Sequence, residues 1–253
     1  MNPEDLTVYT SPYPKIRLGK DFDGGYVIAD IPGITYSCLI SGGISDDISF
    51  EEDFIRRYQV ECHAFDGTIS SLPKESFVHF INKNIGGHNT ETATNLHDLI
   101  DNNDSIFVKM DIEGHEFEWL NSLSFEQMDK ISQITIEFHK PFNQNIFKKF
   151  SNHVLIHFHG NNCCGLRMFQ GVQIPVVFEC TYIHKKYVTE LIKNIRPVPS
   201  ALDMRNLVRR PELLLNFPPF VSKPPPNVKP HTRKHIGVIN GRWVIRNPLI
   251  SKS

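Results

Sequence analysis

Residues 37–66 read SCLISGGISDDISFEEDFIRRYQVECHAFD. A short apolar run, Ser37–Ile40, leads into Ser41-Gly42-Gly43-Ile44-Ser45. A helical stretch follows over Ile48–Tyr58, and a second apolar run, Val60–Phe65, ends in Asp66. Strand, glycine turn, helix and an acid-tipped second strand make the opening unit of a Rossmann-like α/β sheet. In such sheets ligands bind beyond the carboxyl ends of the strands. A glycine pair there lets the backbone come close to a ligand. A carboxylate some ~20 residues further on is placed to accept both hydroxyls of a ribose. The spacing therefore points to a nucleoside-type ligand held by Gly42, Gly43, Ser45 and Asp66. The plain structural alternatives are an ordinary strand-to-helix turn and a turn or cap role for Asp66 in Asp66-Gly67-Thr68.

Outward from this unit, further strands are expected at Val78–Asn82, Ile106–Met110, Gln133–Phe138, Val154–His159 and Val176–Tyr182. Most are apolar runs without clean alternation, as strands covered on both faces require. Helices are expected at Leu96–Asp101, Phe117–Leu123, Phe125–Lys130 and Pro141–Ser151. The alternation predicts a parallel sheet with helices on both faces. Upstream, Arg17–Ile28 reads as a hairpin turning at Asp23-Gly24-Gly25. From Phe217 prolines crowd the chain, and from Val221 onward every charged residue is basic. Residues 1–216 are thus read as the α/β domain and 217–253 as a Pro-rich basic extension. Within it, Val238–Ile245 predicts a hairpin with an Asn240-Gly241 turn.

The 253 residues carry a formal net charge of −1, which supplies no global field for nucleic acid or anionic lipid. The five cysteines include no C-x-x-C pair, so neither a disulfide framework nor a zinc knuckle is indicated. Free thiols in a reducing, cytoplasmic setting are expected. The N-terminus is polar and acidic, unlike a signal peptide. No apolar run reaches the ~18 residues of a membrane span.

Charge returns at the end of Ile106–Met110, in Asp111-Ile112-Glu113-Gly114-His115-Glu116. Ionisable groups at the cleft end of a strand are costly unless paired or liganded. Glu113 and Glu116 also suit the positive end of a following helix. Glu137 and His139 close the next strand, and His157 and His159 the one after. Asp111, Glu137, His139 and His159 are therefore expected on one rim. Carboxylate and imidazole together can hold a divalent ion or supply a general base. Asp111, Glu137 and His139 form the candidate metal set, for Mg²⁺ or Mn²⁺. Asp111, His139 and His159 are the candidate catalytic residues. A strand histidine hydrogen-bonded only for structure is the bland reading of each.

Lys109–Glu116, KMDIEGHE, resembles the signature of the FkbM-type S-adenosylmethionine-dependent methyltransferases. RLGKDFDGGYVIAD, SCLISGGISDDISFEEDF, CHAFDGTI, ITIEFH and HFHGNNC resemble a methyltransferase-like branch of that family. The likeness spans roughly Lys15 to Lys185. It implies the seven-stranded, mostly parallel, Rossmann-like sheet of a class I methyltransferase, with Gly42 and Gly43 beneath the methionine part of the cofactor and Asp66 on its ribose. It also implies that the loop Asn84-Ile85-Gly86-Gly87 lies near the adenine, and that Asp111 borders the cofactor. Known members methylate hydroxyl oxygens, often on sugars, glycolipids or macrocycles. Where the family commonly has an acid before its first glycine, this chain has Ser41.

The expected activity is O-methyl transfer to a sugar or glycan hydroxyl. Three alternatives compete with it. A non-catalytic binding module would keep the fold and lose the cofactor. A nicotinamide oxidoreductase is opposed by the missing third glycine. Nucleic-acid methylation is not expected, because the core has no basic stripe with interleaved aromatics. The tail hairpin is a candidate contact for a homo-oligomer.

Overall fold

The seven apolar runs form one sheet in the computed structural model, which describes residues 1–222 together with 235–239 and 242–246. The strands are β1 (Leu39–Gly42), β2 (Cys62–Phe65), β3 (Val78–Ile81), β4 (Ile106–Met110), β5 (Ile131–His139), β6 (His153–Gly160) and β7 (Val177–His184). Their order across the sheet is β3-β2-β1-β4-β5-β7-β6. Pairs from β3 to β5 are parallel, whereas β7 runs antiparallel to both β5 and β6. The chain builds outward from β1 to β3, then returns to the other side of β1 for β4. That reversal is the switch point where a ligand crevice opens at the strand ends.

Alternation of side chains gives each central strand one residue for each face. Leu39 and Phe107 pack with Phe50 and Phe54 of α1 (Ser49–Tyr58) and with Tyr26 and Ile28. Ile40 and Val108 instead pack with Ile100 of α2 (His97–Asp101), Trp119 and Leu120 of α3 (Glu116–Ser122), and Met128 of α4 (Phe125–Lys130). α4 begins with a capping box, in which Ser124 Oγ accepts from the Gln127 amide and Gln127 Oε1 accepts from the Ser124 amide. The expected upstream hairpin is present, with Lys15–Leu18 antiparallel to Tyr26–Ala29.

Two expectations change. Pro141–Ser151 is not an α-helix but two 3₁₀ segments, Pro141–Asn143 and Ile146–Asn152. Lys140 is left-handed at φ 55°, and no side chain caps the second segment. Phe142, Ile146, Phe147 and Phe150 are all drawn into the main core, and this burial sets the path of the chain. The boundary expected at Phe217 falls later: the chain divides into Met1–Ser222 and Lys223–Ser253, and Leu215 and Phe220 are fully buried in the first unit. In the second unit His235–Ile239 and Arg242–Arg246 pair antiparallel, with Ile239 opposite Arg242. Pro224–Pro230 and the Asn240-Gly241 turn lie outside the described residues. A hairpin not foreseen, Leu166–Phe169 with Val172–Pro175, follows β6. Among the described residues no helix is long and apolar enough to cross a membrane.

Candidate active site

The glycine turn sits against the end of β4. The Asp111 amide donates to Gly42 O at 3.0 Å, and the Gly43 amide donates to Phe65 O at 2.9 Å. Gly43 has φ +72°, and a Cβ there would stand 1.6 Å from the Asp111 carbonyl oxygen. Only glycine fits. A Cβ on Gly42 would meet Ile85 Cδ1 at 2.5 Å and Met110 Sδ at 2.6 Å, so the turn is walled by apolar side chains. Lys109 Nζ donates to Gly43 O from beneath. Buried Ser41, where the family commonly has an acid, donates its hydroxyl to buried Glu51 of α1.

Asp66 stands at the tip of β2 as expected, but its carboxylate already serves the chain. Oδ2 accepts from the Ile44 amide at 3.1 Å and the Ser45 amide at 2.8 Å. Oδ1 accepts from the Thr68 amide and hydroxyl at 2.7 and 2.5 Å. Burial opposes the charge, but the bonds from Thr68, Ser45 and Ile44 outweigh it and hold Asp66 below the usual carboxylate range. A carboxylate offers about four lone-pair sites. Gripping a ribose diol therefore requires Asp66 to release a donor, and the Thr68 hydroxyl is the side-chain one. Ser45 is held left-handed at φ 46° by this bond pattern. The loop beyond β3 reaches the turn through Ile85, while Gly86 lies 3.9 Å from Glu118 of α3 by its would-be Cβ.

On the other side of the turn the donors are underpaired. Asp111, Glu137 and His139 each offer one ligand atom, all within 4.8 Å of one another, and they are the one such group among the described residues. Asp111 Oδ2 accepts from Tyr26 OH at 2.8 Å, whereas Oδ1 is buried without a partner. Burial raises the Asp111 pKa against the pull of Lys109. Glu137 is pushed well up by burial, then by the negative charges of Asp111 and Glu179. His139 Nδ1 is 2.7 Å from Glu116 Oε1, and its Nε2 is 3.2 Å from Glu113 and 3.4 Å from Glu137. Burial lowers the His139 pKa, but the bond to Glu116 and the surrounding carboxylates raise it above the ordinary value. Buried Glu116 thus turns His139 Nε2 toward the acids, the outer-shell arrangement found behind metal-binding histidines. Two carboxylates, one of them with a buried unpartnered oxygen, and an oriented imidazole fit a divalent cation.

His159 does not join this group. The register sets His159 opposite Glu179, and Glu179 opposite Glu137, across β6, β7 and β5. His159 is thus two strand spacings, roughly 10 Å, from Glu137. Its Nδ1 lies 3.5 Å from Glu179 and its Nε2 3.1 Å from Glu212. Burial lowers its pKa, but Glu179 and Glu212 push it up to about 11. An imidazolium so held is a poor base and a firm tether for the segment carrying Glu212. Asn206 of that segment donates to Glu179 at 3.1 Å and to Asp23 at 3.0 Å. His157 makes a parallel tether, with Nε2 2.8 Å from Asp203.

Sequence reasoning did not find Tyr26, nor the pairing of Glu116 with His139. The available signal for Glu116 was its place directly before the apolar positions of α3, at the helix's first residue. Tyr26 carried none beyond the turn signal before it. No curated protein and no solved structure matches the chain. The family model described as methyltransferase FkbM domain matches residues 19–162, which span the glycine turn, Asp66, Asp111, Glu137, His139 and His159. With more than half its length matched, the chain belongs to the FkbM methyltransferase domain family.

Proposed function

We propose that the chain transfers a methyl group from S-adenosylmethionine to a hydroxyl oxygen of a sugar or glycan. One observation carries the reading: Asp111, at the end of β4 where its backbone touches the glycine turn, meets Glu137 and His139 of β5 with ligand atoms within 4.8 Å. Bound S-adenosylmethionine supplies an electrophilic methyl group. Gly42, Gly43, Ser45 and Asp66, with Ile85 and Gly86 nearby, are the residues that would hold it. The acceptor hydroxyl must lose its proton and be aligned. Asp111 is the proposed base, its Oδ2 fixed by Tyr26 and its Oδ1 free to accept. A raised pKa brings a carboxylate closer to working pH, where such a base is more effective. In the alternative role Asp111 would be a ligand, with Glu137 and His139, for Mg²⁺ or Mn²⁺, which would supply charge stabilisation for a forming alkoxide. His139 is otherwise an orienting group for the acceptor. The two cores on opposite sheet faces support a class I methyltransferase architecture with helices on both faces. Unpaired cysteines fit a reducing, cytoplasmic setting.

A second reading rests on Asp66. Its acceptor positions are filled by the chain's own donors, as suits a binding module that no longer takes the cofactor. Calorimetry with S-adenosylmethionine and S-adenosylhomocysteine separates the two, with Asp66→Ala beside the wild type and Mn²⁺ in a second series. Binding lost in a folded Asp66→Ala supports methyl transfer. Absence of binding in the folded wild type, with and without Mn²⁺, overturns it in favour of the module.

A further inference from the structure

We propose that the surface formed by the Leu166–Pro175 hairpin and residues 204–214 docks the protein on an anionic lipid surface. The two stretches are tied together beside the acidic site. Asn162 Nδ2 donates to Leu207 O at 2.9 Å and to Arg210 O at 3.0 Å, and the Leu207 amide donates back to Asn162 Oδ1 at 2.7 Å. Arg210 also donates to Cys163 O, and a Cβ on Gly160 would touch both Pro175 and Leu213.

What this surface shows to water is unusual for a soluble domain. Met168 is 61 % exposed, Val208 51 %, Leu207 42 % and Leu214 67 %, with Leu166 and Met204 also exposed. Contiguous exposed aliphatic groups mark interaction sites. Arg167, Arg205, Arg209 and Arg210 neighbour them along the chain and are all exposed. Arg167 rests over the Phe142 ring at 4.9 Å. Residues 160–178 contain no acid, and the one acid of 204–214, Glu212, is paired with His159. The two stretches are therefore cationic and aliphatic, with no free carboxylate of their own. Basic groups are drawn to an anionic bilayer, and aliphatic tips gain by entering its interface. Protein-binding centres combine Arg with Trp and Tyr, and neither aromatic is present in either stretch. This inference does not depend on methyl transfer.

The test uses the full chain in flotation with vesicles of phosphatidylcholine alone, or of phosphatidylcholine and phosphatidylglycerol in equal parts. Binding is expected to the mixed vesicles only, and to weaken with added salt. Met168→Asp with Val208→Asp, and separately Arg205→Glu with Arg209→Glu, should each lower the bound fraction about tenfold or more. All four side chains are exposed, so their thermal midpoints should match the wild type; Leu214→Asp serves if either double variant melts early. No binding to mixed vesicles overturns the proposal. Binding that survives in folded variants also overturns it, and assigns the affinity to the basic residues after Val221. Self-association without lipid that the variants abolish overturns it in favour of a protein partner.

Discussion

The two sides of the Gly42-Gly43 turn treat their carboxylates in opposite ways. On the β2 side, every acceptor position of Asp66 is filled by a donor of the chain, and its pKa is lowered. On the β4 side, Asp111 keeps a buried oxygen with no partner, and Asp111 and Glu137 are both shifted up. The first is finished by folding. The second holds more buried negative charge than its own cations answer. A fold gains stability from the former and stores a requirement for a proton or a cation in the latter.

The contrast is broken most directly by Asp111→Asn. Tyr26 can still donate to the amide oxygen, so the fold should hold while methyl transfer falls about 10²- to 10⁴-fold, the usual share of a general base. A radiolabelled transfer assay reads this, and full activity would remove Asp111 from the mechanism. His159→Ala should cost about 3–5 kcal/mol in urea unfolding, because Glu179 and Glu212 lose their cation. Its raised folded pKa fixes the sign with pH. The His159 contribution is fully present below its unfolded value of 6.5 and is lost as pH rises toward about 11. A His159→Ala chain as stable as wild type at neutral pH would show that the tether is dispensable.

Glu116→Gln should weaken Mn²⁺ binding by about 10- to 100-fold through loss of His139 orientation. It should also lower the His139 pKa, which NMR titration of the ring reads. Unchanged Mn²⁺ affinity would make Glu116 a purely structural partner. The smallest effects sharpen the contrast best. Asp66→Asn should destabilise the metal-free chain by about 1–2 kcal/mol, whereas Glu137→Gln should stabilise it by about 1 kcal/mol. The Asp66 contribution is present above the ordinary aspartate range and is lost as pH falls through its lowered folded pKa. The penalty from charged Glu137 runs the other way and is relieved as pH falls through its raised one. Shifts of the same sign in the two variants would contradict the comparison.

Much of this was legible in the sequence. Each of the seven strands announced itself as a short apolar run, because strands covered on both faces need such runs. Asp111, Glu137 and His139 could be placed on one rim because all three lie at strand ends. Less legible was anything decided by pairing across the sheet. The line His159–Glu179–Glu137 depends on the register of two antiparallel pairs, which no local pattern specifies. Pro141–Ser151 looked helical, yet its aromatic residues are claimed by the core in a tighter path. The saturation of Asp66 needs Ser45 in a left-handed conformation, an arrangement set by the tertiary bond it makes.

β6 ends the sheet, and its outer side is covered by the N-terminal segment. The Tyr9 amide donates to Leu155 O at 2.8 Å, and Tyr9 bridges in turn to Lys193. The N-terminal segment thus stands as a guard rail at one peptide group of this border. A trimmed version beginning at Lys15 would free that group for pairing with another copy edge to edge. Anyone shortening this protein for expression should expect to trade a clean monodisperse sample for aggregates at that one border.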